Sequence, residues 1–160
     1  MAAEIIRLSE TYFLVSWKLV QIDACEAHRL LDTPWYILNS GYIARSYWED
    51  GKLHNELLHR TLARAQKGCV VDHIDGDKLN NRLSNLRICT HSENMRNRKM
   101  SFSNISGLKG VEPTKSGTFR ATIRVNKVIH RLGTFATAEA AHAAYCEASA
   151  RLHGEFARTA

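Results

Sequence analysis

A carboxylate and an imidazole stand side by side near the middle of the chain. Asp72 and His73 end an apolar run that begins at Val70, and Asn94 follows twenty-one residues after His73. Carboxylate and amide oxygens suit Mg²⁺ and Mn²⁺, which often take only one or two protein ligands. An imidazole titrates close to neutral pH and can accept a proton from water. These three residues therefore have the chemistry needed to hydrolyse a phosphodiester with one divalent ion.

The two neighbouring side chains can reach one site only if the strand that carries them ends there. Side chains alternate between the faces of a regular strand, so Asp72 and His73 would otherwise point in opposite directions. Residues 74–76 supply a turn at this point. A polar loop rich in asparagine follows, and we interpret Asn85 as the residue that holds this loop in shape. A purely structural asparagine-rich loop is the alternative.

The residues after the loop predict a second strand and a helix. Residues 86–89 are mainly apolar, and Thr90 with Glu93 forms a capping-box pattern for a helix that begins near Ser92. Asn94 would then lie in the first turn of that helix.

The expected cofactor is one divalent metal ion, Mg²⁺ or Mn²⁺, held by Asp72 and Asn94. Zinc is a less favoured alternative, because its candidate ligands lack the closely spaced Cys pair of structural zinc sites. Those ligands would be Cys69, His73, Cys89 and His91. The four cysteines of the chain are scattered, and we expect them to be reduced.

The basic residues are concentrated in the second half of the chain. Residues 1–50 hold four Lys or Arg against seven Asp or Glu. Residues 96–131 hold nine Lys or Arg against one acid, Glu112. A solvated surface usually mixes both signs, so this segment indicates contact with a polyanion such as nucleic acid. General solubility is the alternative explanation.

The stretch DHIDGDKLNNRLSNLR resembles the HNH (ββα-metal) endonucleases, particularly phage and homing-type members with Asn in place of the final His. The resemblance covers about residues 58–99, and it includes a His-Arg pair ahead of the first strand. It implies a role for five residues: His73 as the general base, Asn85 as the residue that orients the loop, Asp72 and Asn94 as metal ligands, and His59 as a further catalytic residue. A packing or surface role is the alternative for His59, because it lies in a predicted helix.

Residues 107–157 resemble the ethylene-response-factor (APETALA-type) DNA-binding domain. The matching segments are GLKGV, TFRATIRV, RLGTFATAEAAHAAY and HGEFA, with Phe119 where the family usually has Trp. In that family the sheet enters the major groove, and Arg is the commonest reader of guanine, so the resemblance implies base contacts by Arg120 and Arg124. The basic residues expected to contact DNA are Arg96, Arg98, Lys99, Lys109, Lys115, Arg120, Arg124, Lys127 and Arg131.

The predicted fold class is α+β, with a central ββα-metal nuclease unit and a small three-stranded sheet packed on one helix. We expect four segments along the chain: an α+β region with a β-hairpin at 1–56, the nuclease unit at 57–99, a linker at 100–106 and the DNA-binding domain at 107–157.

The local patterns predict most of the individual elements. A capping box at Asp23 and Glu26 predicts a helix over 24–31, and apolar residues at helical spacing predict another over 57–65. The predicted strands are residues 12–15, 18–22, 35–38, 42–48, 108–111, 118–125 and 128–135. Thr137 and Gly154 bound a predicted helix. An aromatic cluster is expected in the core: Trp17, Trp35, Tyr36, Tyr42, Tyr47 and Trp48.

The chain shows no apolar run near the roughly 18 residues that a membrane helix requires. Its first residues lack the order of a signal peptide. We therefore expect an intracellular, cytoplasmic protein without a membrane partner, located in the host cytoplasm if it is encoded by a phage. The sequence leaves open whether the protein is a monomer or a homodimer.

The predicted function is that of a metal-dependent DNA endonuclease acting on double-stranded DNA. His73 would take a proton from water, and the ion would stabilise the departing 3′-oxygen, leaving a 5′-phosphate. A non-catalytic DNA-binding regulator that keeps the nuclease fold as a scaffold is one alternative. A zinc-stabilised structural module is another.

Overall fold

A computed structural model describes residues 5–32, 34–97, 100 and 104–159. They form two compact units, residues 1–90 and 91–160. Both units combine short helices with small antiparallel sheets, which confirms the predicted α+β class. The four sequence-based segments stay predictions, and part of the expected linker falls outside the described residues. Within the described ranges, the helices are too short or too polar to span a membrane.

A three-stranded antiparallel sheet opens the first unit. Strands β1 (Ile5–Arg7), β2 (Tyr12–Val15) and β3 (Lys18–Gln21) pair in the order β1-β2-β3. Phe13 and Val15 are fully buried because alternate residues of β2 face the core. The sequence predicted β2 and β3 but not β1.

The helix predicted over 24–31 is interrupted. A 3-10 turn (Ala24–Glu26) precedes a one-turn helix, α1 (His28–Leu31). The predicted capping box is wrong, because the Asp23 side chain accepts no hydrogen bond from the start of this helix. Its Oδ2 instead accepts a hydrogen bond from the main-chain nitrogen of Leu83, at 2.6 Å.

A second three-stranded sheet follows. Strands β4 (Tyr36–Ile37), β5 (Ile43–Glu49) and β6 (Lys52–Leu57) are antiparallel neighbours in chain order. The antiparallel pairing of β4 with β5 confirms the predicted β-hairpin. Gly51 adopts a φ of 70° in the next turn, a conformation that glycine reaches without strain.

The predicted aromatic core is only partly correct. Trp35 is 1% exposed and packs in the core. Trp17 and Trp48 are 79% and 72% exposed, so they are surface residues. Sequence patterns cannot distinguish a buried aromatic ring from an exposed one here, because the twist of the sheet and the ends of the strands decide which ring is covered.

Helix α2 (Leu58–Leu62) is shorter than the nine residues predicted. Leu58 and Leu62 are buried in the core, as the spacing indicated. The helix ends early because Arg64 adopts a left-handed φ of 50°, so the predicted end at residue 65 is wrong.

Strands β7 (Val70–His73) and β8 (Leu86–Cys89) form an antiparallel pair, and a 3-10 turn (Leu83–Asn85) leads into β8. Val71 and Leu86 belong to the same core cluster as Phe13, Leu30 and Trp35. One core therefore supports both the N-terminal sheets and the strand pair that carries the Asp-His motif.

The second unit contains helix α3 (His91–Arg96), strands β9 (Val111–Pro113), β10 (Phe119–Val125) and β11 (Val128–Phe135), and helix α4 (Ala138–His153). A 3-10 turn (Gly154–Phe156) follows α4. The sheet order is β11-β10-β9, and its buried residues pack on α4, which confirms the predicted sheet on one helix.

The strand predicted over 118–125 is confirmed by β10, whose residues alternate between two faces of the sheet. Ala121 and Ile123 are buried against α4, whereas Arg120 and Arg124 are exposed on the opposite face. The strand predicted over 108–111 is wrong, since β9 begins only at Val111.

Gly110 explains the late start of β9. Its φ is 77°, and a Cβ built there would lie 2.0 Å from Cδ2 of Tyr145, so only glycine fits. The bounds of α4 agree with its predicted signals. Thr137 Oγ1 accepts a hydrogen bond from the Ala140 nitrogen at 3.2 Å, and Gly154 follows the helix with a φ of 54°.

Candidate active site

His73 lies at the end of β7 among aromatic rings. Its side chain is 4% exposed. The centroid of the His59 ring lies 5.1 Å from that of His73, and the centroid of the Tyr42 ring lies 6.1 Å away. His59 comes from α2 and Tyr42 from the turn before β5. The fold thus brings together two of the predicted catalytic residues, His59 and His73, and adds Tyr42.

Burial controls the protonation of both imidazoles. Desolvation lowers the pKa of His73, although the hydrogen bond with Asn81 and the nearby carboxylates oppose this shift. Burial, the neighbouring His73 and Arg60 lower the pKa of His59 to about 3. Both rings are therefore neutral at pH 7, so His73 can accept a proton and His59 cannot act there as a cationic acid.

The carboxylate of Asp72 is paired with an arginine on the neighbouring strand. Asp72 lies directly opposite Arg87 in the β7–β8 register. Arg87 donates to Asp72 Oδ2 from Nη2 at 2.7 Å and from Nε at 3.0 Å. Burial and the Asp72 carboxylate raise the pKa of Tyr42, so its phenol is protonated at neutral pH. Neither Arg87 nor Tyr42 was predicted from the sequence as part of the site. The Asp72–Arg87 contact depends on the strand register, and the contacts of Tyr42 with His59 and His73 depend on tertiary packing.

Asp75 is the centre of a hydrogen-bond network in the loop between β7 and β8. Its Oδ1 accepts from the main-chain nitrogen of Asp77 at 2.8 Å and from Asn85 Nδ2 at 2.9 Å. Its Oδ2 accepts from Asn80 Nδ2 at 2.8 Å. Burial alone would raise the pKa of Asp75, but these hydrogen bonds lower it. Asp75 is therefore an ionised anchor of the loop, which the sequence had indicated only as a turn residue.

The Asn85 amide holds two parts of the loop together. Its Oδ1 accepts from the Asp75 nitrogen at 3.1 Å, and its Nδ2 also donates to the Asn80 carbonyl at 2.8 Å. Asn85 is buried, so these bonds are shielded from competing water. The geometry is that of a residue which shapes the loop, while its place in catalysis stays a prediction.

N-terminal residues tie this loop to the rest of the first unit. The Gln21 nitrogen donates to the Leu79 carbonyl at 2.9 Å, and the Asn81 nitrogen donates to the Gln21 carbonyl at 2.8 Å. Lys78 Nζ donates to the Ser40 carbonyl at 2.7 Å. Together with the bond from Leu83 to Asp23, these contacts give the N-terminal region a structural part in the site.

The predicted metal ligands belong to different units. Asp72 lies in the first unit and is buried, and Asn94 lies on α3 in the second unit and is half-buried. A carboxylate and an amide suit a hard cation, so the donor chemistry fits Mg²⁺ or Mn²⁺. No group of three or more His, Cys, Asp or Glu that could hold a metal is found in the described part of the chain. The ligand roles stay predictions.

The predicted DNA-contacting residues that the structure describes lie in the second unit. In the β10–β11 register, Thr122 is opposite Arg131 and Arg124 is opposite Ile129. Opposite residues share a face of a sheet, so Arg131 joins Arg120 and Arg124 on the exposed face.

The other predicted contacts differ in their surroundings. Lys115 and Lys127 lie in exposed turns. Burial and Arg158 lower the pKa of Lys109 to about 8, and its Nζ donates to the Arg96 carbonyl at 3.2 Å. Lys109 is therefore less available to a phosphate than an exposed lysine. Arg98 and Lys99 lie outside the described residues.

Comparison with known proteins places the motif in a family. The family model described as HNH endonuclease matches residues 56–96. An uncharacterized HNH endonuclease of Acanthamoeba polyphaga mimivirus is 33% identical over 129 residues, which are 77% of this chain and 64% of that protein. Protein 3.8 of Escherichia phage T7 is 32% identical over 115 residues, 71% of this chain and 94% of that protein.

A solved structure on DNA binding and cleavage by the HNH homing endonuclease I-HmuI also matches. It is 29% identical, with a TM-score of 0.36, and the match covers 56% of this chain and 48% of that one. The chain spans less than two thirds of the mimivirus relative but nearly the whole length of the phage relative.

Proposed function

This chain carries an HNH endonuclease domain over residues 56–96, and we propose that it is a metal-dependent endonuclease that hydrolyses phosphodiester bonds of double-stranded DNA. The observation that carries the proposal is a neutral, buried imidazole next to a buried carboxylate, at the start of a loop fixed by hydrogen bonds. Such positioning is what a general base needs, because its geometry must be set before the substrate binds.

His73 supplies the base of the proposed reaction. It takes a proton from a water molecule, and the resulting oxygen attacks phosphorus in line with the departing 3′-oxygen. The product carries a 5′-phosphate. His59 and Tyr42 shield the imidazole from bulk water, which keeps it neutral and therefore competent as a base.

Asp72 and Asn94 are the proposed ligands of one Mg²⁺ or Mn²⁺ ion. When bound, such an ion supplies Lewis-acid stabilisation of charge on the phosphate and on the leaving oxygen. Arg87 orients the Asp72 carboxylate through two hydrogen bonds to one oxygen.

The second unit is proposed to bind the DNA. Arg120, Arg124 and Arg131 share one exposed face of its sheet, away from the face that packs on α4. Guanidinium groups suit both phosphate and guanine, so this face matches the expected electrostatic contact with a duplex.

Incubation of supercoiled plasmid with the full-length chain tests the proposal. We expect nicked or linear product with Mg²⁺ or Mn²⁺, none with EDTA, and 5′-phosphate ends on the fragments. A fall in cleavage of about 100-fold or more on the change of His73→Ala, with retained DNA binding, would support the base assignment.

One observation favours a second candidate, the non-catalytic DNA-binding regulator. The Arg87 guanidinium already neutralises Asp72, as it would in a scaffold that binds no cation. A shift of DNA in gels without cleavage under any divalent ion would establish this candidate and overturn the endonuclease proposal.

A further inference from the structure

Asn81 is the most deeply buried amide of the loop, and the function proposed above gives it no part. Its side chain is 1% exposed. Its main-chain nitrogen donates to the Gln21 carbonyl at 2.8 Å, which ties the residue to β3. The position of Asn81 is therefore fixed by the backbone, whatever its side chain does.

The orientation of the Asn81 amide is also fixed. Its Nδ2 donates to the Lys78 carbonyl at 3.0 Å. A carbonyl oxygen can only accept a hydrogen bond, so this contact identifies the nitrogen of the amide and turns Oδ1 the other way. Oδ1 lies 3.4 Å from His73 Nε2.

An amide oxygen facing a ring nitrogen decides the tautomer of a neutral histidine. Oδ1 accepts only, so Nε2 must carry the hydrogen, and a neutral imidazole then has its lone pair on Nδ1. Rotation of the ring is restricted because the rings of His59 and Tyr42 lie beside it. The same geometry that buries His73 therefore also distinguishes its two nitrogens.

We propose that Asn81 is a positioning residue that holds His73 in the Nε2–H tautomer and so makes Nδ1 the atom that takes the proton from water. This inference rests on the proposed function, in which His73 is the base. The inference assigns different roles to Asn81 and Asn85, which the sequence pattern does not distinguish. Asn85 binds Asp75 and Asn80 and shapes the loop, whereas Asn81 reaches the imidazole itself.

The first test observes the tautomer of His73 in the parent chain directly. The full-length chain, labelled with ¹⁵N at the histidine rings, is examined by NMR at about pH 8, where His73 is neutral. The change of His73→Ala assigns the signals. We expect the Nε2–H tautomer for His73. The Nδ1–H tautomer, or rapid exchange between the two, would overturn the inference.

The second test compares two substitutions at one position. Asn81→Ala removes the acceptor, and Asn81→Asp keeps an oxygen that can accept from Nε2. We expect Asn81→Ala to lower kcat for plasmid cleavage by roughly 10-fold to 100-fold with KM for DNA nearly unchanged, because a wrong tautomer weakens the base without weakening binding. Asn81→Asp should recover most of kcat and keep the Nε2–H tautomer.

Asn55→Ala is the matched control, because Asn55 is an exposed amide on β6 that accepts a hydrogen bond from Ser46. A purely structural role of Asn81 would lower the stability of both Asn81 variants and leave the tautomer unchanged. That outcome, or a kcat for Asn81→Ala equal to that of Asn55→Ala, would refute the inference. If Asn81→Ala does not fold, the spectrum of the parent and the Asn81→Asp variant decide the question.

Failure of the proposed function gives a different result. If His73→Ala cleaves as fast as the parent, the imidazole is not the base, whichever nitrogen carries the hydrogen. If His73→Ala is inactive but the parent shows the Nδ1–H tautomer, the proposed function stands and only the inference about Asn81 fails.

Discussion

The β7–β8 loop and the sheet of the second unit use polar residues in opposite ways. In the loop, Asn81 and Asn85 are buried, and each makes defined hydrogen bonds to fixed partners. On the sheet, Arg120 and Arg124 are exposed and point into solvent. Proton transfer requires groups held in place, whereas contact with a polyanion needs charges that can adjust to it. Changes in the loop should therefore affect rate and stability, and changes on the sheet should affect binding.

The sharpest test of this comparison is His73→Ala. Cleavage should fall by about 100-fold or more, because general-base catalysis contributes on that scale, while DNA affinity stays close to that of the parent. His54→Ala is the control, since His54 stacks on Tyr47 in the β5–β6 hairpin. Steady-state cleavage and gel-shift titrations measure the two quantities. Equal rates for His73→Ala and the parent would contradict the assignment.

Removal of the buried ion pair should mainly reduce stability. Arg87→Ala leaves the Asp72 carboxylate buried without its guanidinium partner, which should lower the free energy of unfolding by about 3 kcal/mol. Arg29→Ala breaks a pair whose arginine side chain is 36% exposed, and its expected cost is about 0.5 kcal/mol. Urea unfolding of both variants checks the difference. Similar midpoints for the two would show that the Asp72–Arg87 pair contributes no more than a surface pair.

Acidification should destabilise the first unit through His59. Its pKa is about 3 in the folded chain, below the ordinary value of 6.5, so the unfolded chain binds the additional proton between these values. Stability should therefore rise with pH in that window, and a change from pH 7 to pH 5 should lower the free energy of unfolding by about 2 kcal/mol.

His59→Gln should flatten this dependence, although His73 contributes a shift of the same sign. Urea unfolding at several pH values measures the slope. A parent whose stability is constant between pH 7 and pH 5 would show that His59 is not buried in its neutral form.

The smallest expected effect lies on the sheet. Arg124→Ala should weaken DNA binding by about 10-fold, with kcat unchanged, because it removes one exposed charge. If about six charges contact phosphates, the logarithm of the affinity should fall with the logarithm of the salt concentration at a slope of about −5. If Arg124 makes one of these phosphate contacts, the variant should make the slope shallower by about 0.9. Arg151→Ala, at an exposed position on α4, is the control. A large loss of kcat for Arg124→Ala would contradict the division of roles.

The amino-acid sequence by itself determined the elements whose signals are local. The alternation in residues 118–125 predicted β10 and its exposed arginines, and Thr137 and Gly154 predicted the ends of α4. The strands that carry the Asp-His motif were also predictable, because apolar residues bounded by a polar loop need no distant partner to be recognised.

Only the tertiary structure decided which polar groups meet. Arg87 finds Asp72 through the antiparallel register, and the loop is fixed by Gln21 and Asp23, which lie far upstream in the chain. Trp17 and Trp48 are exposed although their type favours a core. A local pattern gives the chemistry of each side chain and the periodicity of the apolar residues along the segment. The partner of a buried polar group depends on packing between distant segments, which no local pattern contains.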